Sequence, residues 1–74
     1  MSVIIEIDAP PLLPQLVARL QAAGCWAVPI SSEACLVVHR QAETAGVAMM
    51  ELRFFANAWA GTRGDVGVRL RRGV

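Results

Sequence analysis

Apolar and polar residues follow two different periods along the chain, and the order of these periods predicts its secondary structure. Val3, Ile5 and Ile7 alternate with other residues as in a strand, and the next apolar residues recur at helical spacing. Two more strand-like runs, a second helical run and a final alternating run follow. The predicted strands cover 2–8, 26–30, 34–40 and 66–71, and the predicted helices cover 11–23 and 42–60.

This order of strand, helix, strand, strand, helix and strand is that of a ferredoxin-like βαββαβ sandwich. We predict an α+β fold in a single domain over residues 1–74, with a four-stranded antiparallel sheet in the order 4-1-3-2 and two helices on one face. In this order the second strand lies at an edge, where Pro29 removes no required ladder hydrogen bond. The third strand is central, which agrees with its unbroken apolar run at 35–38.

The same periods predict which residues form the core between the sheet and the helices. On the second helix the core stripe runs through Leu52, Phe55 and Trp59, at steps of three and four residues. The complete predicted core comprises Val3, Ile5, Ile7, Leu16, Leu20, Trp26, Val28, Leu52, Phe55, Trp59, Val66, Val68 and Leu70.

A second apolar stripe lies beside the core stripe on the second helix. It consists of Val47, Met50, Phe54 and Ala58. Exposed apolar stripes are typical of interfaces, although a wide helix face that sinks into the sheet would give the same pattern. The chain is also 55% hydrophobic, against about 45–50% in ordinary domains. We therefore expect a homo-oligomer, a dimer or larger, and a protein partner is a further possibility.

The net charge, the length of the apolar runs and the spacing of the cysteines argue against several kinds of partner. The seven basic residues are all arginines and are balanced by six acids, so the net charge is +1. Because no basic face is predicted, we expect no nucleic-acid binding. No apolar run approaches the roughly 20 residues of a membrane span, so we expect a cytoplasmic protein without membrane contact. Cys25 and Cys35 lack the close spacing of metal or redox motifs, and we expect free thiols.

The chain shows no pattern typical of catalysis or of metal binding. His39 is the only histidine, and we expect it to face solvent at a strand end, without a nucleophile or second ligand nearby. The six acids are scattered, and Glu6 is expected to pair across strands with Arg69 or Arg71. The first and third strands lack the aromatic residues of an RNA-recognition motif. We therefore predict a protein that is not an enzyme and has no cofactor.

The junction of the first strand and first helix resembles a known regulatory family. Its sequence, Asp-Ala-Pro-Pro-Leu-Leu at 8–13, is similar to the D-x-P-G-x-L turn of ACT domains, which bind amino acids at dimer interfaces. The resemblance implies self-association, sensing of a small ligand, and ligand-binding roles for Asp8 and Leu13. Pro11 stands where the family has glycine, and proline has no amide hydrogen to offer a ligand. We therefore predict that this turn binds no free amino acid.

Two functions follow from these patterns. The first is a small non-enzymatic ACT-like module that self-associates and senses a small ligand. The alternative is a protein-interaction or assembly module without a ligand, which uses the apolar stripe on the second helix or a sheet edge.

Overall fold

The computed structural model describes residues 2–73 and shows the predicted fold. The elements are β1 (Ser2–Ile7), α1 (Leu13–Ala22), β2 (Trp26–Pro29), β3 (Ala34–Val38), α2 (Ala45–Gly61) and β4 (Val68–Arg72), with a short 3-10 helix, Pro10–Leu12, before α1. The four strands form one antiparallel sheet in the order β2-β3-β1-β4, so the predicted order 4-1-3-2 is confirmed. Pro29 lies on the edge strand, as expected.

Local contacts explain where the second helix and the last strand begin. The side chain of Thr44 caps α2, because its Oγ1 accepts a hydrogen bond of 3.1 Å from the Val47 N–H. This cap places the start of α2 at Ala45, three residues later than predicted. Before β4, Gly64 and Asp65 both have positive φ angles of 80° and 62°. They form the turn before the last strand, and β4 begins at Val68, two residues later than predicted.

The core lies between the helices and one face of the sheet. Helix α1 packs against β2 and β3, whereas α2 packs against β4 and β1. Of the predicted core residues, Val3, Ile5, Ile7, Leu16, Leu20, Leu52 and Trp59 are buried, and Phe55, Val66, Val68 and Leu70 are partly buried against them. Within residues 2–73, neither helix is long and apolar enough to span a membrane.

The predicted orientation of β2 is wrong. Ala27 is only 2% exposed and belongs to the core, whereas Trp26 is 42% exposed and lies with Val28 on the opposite face. Both faces of this strand are apolar, so alternation alone does not indicate which one is buried, and a shift of one residue exchanges the two. Because α1 packs directly on β2, the small Ala27 side chain occupies the covered face. The large side chains consequently lie on the uncovered face.

Candidate functional site

The two residues singled out at the proline turn have different surroundings. Leu13 is buried in the core, while Asp8 is exposed at the end of β1 and is hydrogen-bonded to Gly67. Asp8 Oδ1 accepts a hydrogen bond of 2.8 Å from the Gly67 N–H, and the Asp8 N–H donates to the Gly67 carbonyl at 3.1 Å. A Cβ at position 67 would approach Asp8 Oδ2 to 2.5 Å, so any larger residue there would force the Asp8 carboxylate to shift.

The turn also leaves few donors for a ligand. Pro10 and Pro11 have no amide hydrogen, and the Leu12 N–H already donates to the Ala9 carbonyl at 2.9 Å. Asp8 and Leu13 are not brought together on one surface. The absence of amino-acid binding at this turn stays a prediction, and these contacts are its physical basis.

The sheet face opposite the helices carries a continuous apolar surface, which we call the open face. Strand register places Trp26 beside Val38, and Val28 beside Leu36, which in turn lies beside Ile4. Trp26 is 42% exposed, and Val28, Leu36, Val38 and Ile4 are half-buried. Ile30 follows β2, donates its N–H to the Ala34 carbonyl at 2.9 Å and is 50% exposed. The sequence pattern does not reveal this surface, because both faces of β2 are apolar and the prediction assigns Trp26 and Val28 to the core.

The remaining part of the open face is charged. Arg69 and Arg71 alternate with inward residues on β4, and Glu6 lies opposite Arg69 on β1. Arg71 Nε donates to Glu6 Oε1 at 3.3 Å, which confirms the predicted cross-strand pair. The open face thus has an apolar half on β2 and β3 and a charged half near β4.

The apolar stripe on α2 is exposed and does not sink into the sheet, the other arrangement that its spacing allowed, and its role as an interface stays a prediction. Phe54 is 79% exposed and Met50 is 64% exposed, and Val47 and Ala58 are also exposed. Met50, Phe54 and Ala58 line an open groove of about 1010 Å³ between α1 and α2, whereas Val47 lies outside it. The groove exists because the two helices pack on different strand pairs, a tertiary feature that periodicity does not reveal.

One end of the groove contains a histidine and a thiol. His39 Nε2 lies 3.3 Å from Glu51 Oε1, and its Nδ1 accepts a hydrogen bond of 3.3 Å from the Gln41 N–H. The His39 side chain is only 17% exposed, so the expectation that it faces solvent is wrong. Burial, together with the charge of Glu51, raises the pKa of the Cys25 thiol. Among residues 2–73, no three His, Cys, Asp or Glu side chains are grouped to hold a metal ion.

The other end of the groove contains a tryptophan and an arginine. Arg63 Nε donates to Gln15 Oε1 at 3.1 Å, and its guanidinium carbon lies 5.7 Å from the centre of the Trp59 ring. The indole Nε1 of Trp59 is buried and has no hydrogen-bond acceptor among the described residues. Arg19, on α1, also lines the groove. This end therefore offers hydrogen-bond donors beside aromatic surface.

Comparisons with protein-family models, with curated proteins and with solved structures gave no match to this chain. Function is therefore inferred from the two apolar surfaces themselves. They are the open face of the sheet and the groove between the helices, and they lie on opposite sides of the sheet.

Proposed function

We propose that this protein is a non-enzymatic, ACT-like module that forms homodimers through the open face of its sheet. The proposal depends on one observation, the apolar outer side of β2 and β3. An antiparallel sheet that faces water ordinarily alternates apolar and polar residues, whereas all five residues of β3, Ala34–Val38, are apolar. Strands that are apolar on both sides are typical of sheets covered on both sides.

The arrangement of the open face favours a second copy of this chain as the cover. Protein interfaces have an apolar centre, in which tryptophan is enriched, and a polar rim. Trp26 and Leu36 lie in the apolar half, and Glu6 and Arg71 form a polar border beside it. A two-fold interface uses the same surface on both subunits, so a single surface must carry both the apolar part and the polar border. The open face carries both.

A second candidate function is a protein contact through the stripe on α2. It is favoured by the exposure of Phe54, the most exposed of the large apolar side chains among residues 2–73. The two candidates use opposite sides of the molecule, so single substitutions separate them.

Sedimentation equilibrium on a matched pair of variants tests the proposed dimer. We expect the unchanged protein at micromolar concentration to have a mass near twice 7.9 kDa. Trp26→Glu places a charge in the apolar half of the open face and should give a monomer, because burial of an unpaired charge is strongly unfavourable. Phe54→Glu makes the same kind of change on α2 and should leave the dimer intact.

Two outcomes would contradict this assignment. A strictly monomeric protein at high micromolar concentration would exclude the homodimer. Dissociation by Phe54→Glu, with Trp26→Glu remaining dimeric, would move the contact to α2 and support the second candidate. Circular dichroism on both variants shows that each is folded before its mass is interpreted.

A further inference from the structure

We infer that the groove between α1 and α2 binds a small amphiphilic carboxylate, an acid with an apolar aliphatic or aromatic body. Its carboxylate would contact Arg19 and Arg63, and its body would lie along Phe54, Phe55 and Ala58. This site is independent of the proposed dimer, because the groove and the open face lie on opposite sides of the sheet.

Size and lining agree with a small apolar ligand. The groove volume of about 1010 Å³ is at the upper end of the roughly 300–1,000 Å³ that ligand pockets occupy. Helix α2 is apolar around most of its circumference, with Leu52 and Ala56 toward the sheet and Phe54 on the outer side. A helix of this kind is ordinarily covered on more than one side, and a bound apolar body would supply part of that cover.

Two arginines give the groove its preference for an anion. Gln15 and Arg19 are one turn apart on the same face of α1, Arg63 donates to Gln15, and both arginines line the groove. Arg63 has only the neutral partners Gln15 and Thr62 for its hydrogen bonds, and neither arginine pairs with a carboxylate among residues 2–73. A ligand carboxylate would accept charge-assisted hydrogen bonds from both.

The opposite end of the groove fixes the orientation of the ligand. Glu51 lies there and is already paired with His39 at 3.3 Å. Its negative charge disfavours a second carboxylate at that end. The carboxylate therefore lies toward Arg63, and the apolar end of the ligand points toward Met50.

The two tryptophans allow a direct test, because each reports a different surface. In Trp26→Phe the remaining Trp59 reports the groove, and in Trp59→Phe the remaining Trp26 reports the open face. The probes are decanoate and 3-phenylpropionate, with decylamine as a control of equal chain length and opposite charge. We expect at least one carboxylate to change Trp59 emission saturably, with no saturable change at Trp26 and none from decylamine.

Three arginine variants test the carboxylate contact. Arg19→Gln and Arg63→Gln should each weaken carboxylate binding about tenfold, as expected for loss of one hydrogen bond to a charged group. The control Arg53→Gln changes an exposed arginine of α2 that does not line the groove, and it should leave affinity within about twofold. All three sites are exposed, so the variants should fold.

Several results would overturn the inference. One is that decylamine binds as tightly as decanoate, and another is that Arg53→Gln weakens carboxylate binding as much as Arg19→Gln or Arg63→Gln does. The others are a saturable change in the emission of Trp26 but not of Trp59, and no saturable change with either carboxylate. None of these results bears on the dimer, which sedimentation tests separately.

Discussion

The two faces of the sheet carry similar side chains in different surroundings. On β1, Ile5 is fully buried beneath the helices, while its neighbour Ile4 is half-buried on the open face between Leu36 and Arg71. The helices of this chain cover only one of the two faces. Apolar residues on the covered face form the core of a single copy, whereas apolar residues on the open face are not covered within one copy. This difference is the basis of the proposed dimer.

The largest expected effect is a difference in stability between the same substitution made on each of the two faces. Ile5→Ala should destabilise the protein by about 2–5 kcal/mol, because it removes buried methyl groups and leaves a cavity. Ile4→Ala changes the same residue type on the same strand but should lower the stability of the monomer by only about 1 kcal/mol. Urea denaturation of both variants at low protein concentration measures the difference.

The same pair also separates stability from association. Ile4→Ala should weaken the dimer, whereas Ile5→Ala should leave the open face unchanged in any molecule that folds. Equal destabilisation by both substitutions at low concentration would mean that the two faces are equally covered within one copy, and the comparison would fail.

The sequence predicts most of the fold because local patterns determine most of it. The uninterrupted apolar face of β1, formed by Val3, Ile5 and Ile7, and the helical steps of Leu52 and Trp59 indicate the correct buried face. The edge position of Pro29 agrees with the observed strand order. Periodicity failed at Trp26, where both faces of the strand are apolar and the choice depends on how closely α1 packs.

The candidate sites were less predictable than the fold. The apolar stripe at Met50 and Phe54 is visible in helical spacing, but its exposure is not. The groove beside it depends on the separation of the helices, and the His39–Glu51 contact joins an end of β3 to α2. Gly67 before the last strand was the one sequence signal for the Asp8 contact, since glycine often marks a close approach of two chain segments.

A smaller effect concerns the two thiols. Burial raises the pKa of Cys35, on the inner face, to about 11, against an ordinary value of 9.0. Cys25 is half-buried at the groove, and burial raises its pKa as well. At pH 8 a thiol reagent should therefore modify Cys25 slowly and Cys35 far more slowly, as measured in Cys35→Ser and Cys25→Ser variants. Both thiols should react at the same rate in denaturant.

The raised pKa of Cys35 also predicts how stability depends on pH. Above pH 9.0 the unfolded thiol ionises while the folded one stays protonated until about pH 11. The unfolded state is thus favoured increasingly across this interval, and the free energy of unfolding should fall there in the Cys25→Ser variant. Rapid modification of Cys35 at pH 8, or a free energy of unfolding that does not change between pH 9.0 and about 11, would show that Cys35 is accessible to solvent on the inner face.

The central claim is that a second copy covers the open face, and the emission of Trp26 tests it most directly. In Trp59→Phe, Trp26 is the only tryptophan, and its emission should shift to shorter wavelength as protein concentration rises through the dimerisation range. In Trp26→Phe, Trp59 should show no shift over the same range, because it already lies buried on the other side of the sheet. A doubling of mass without any shift at Trp26 would contradict the account, as would a shift at Trp59 alone.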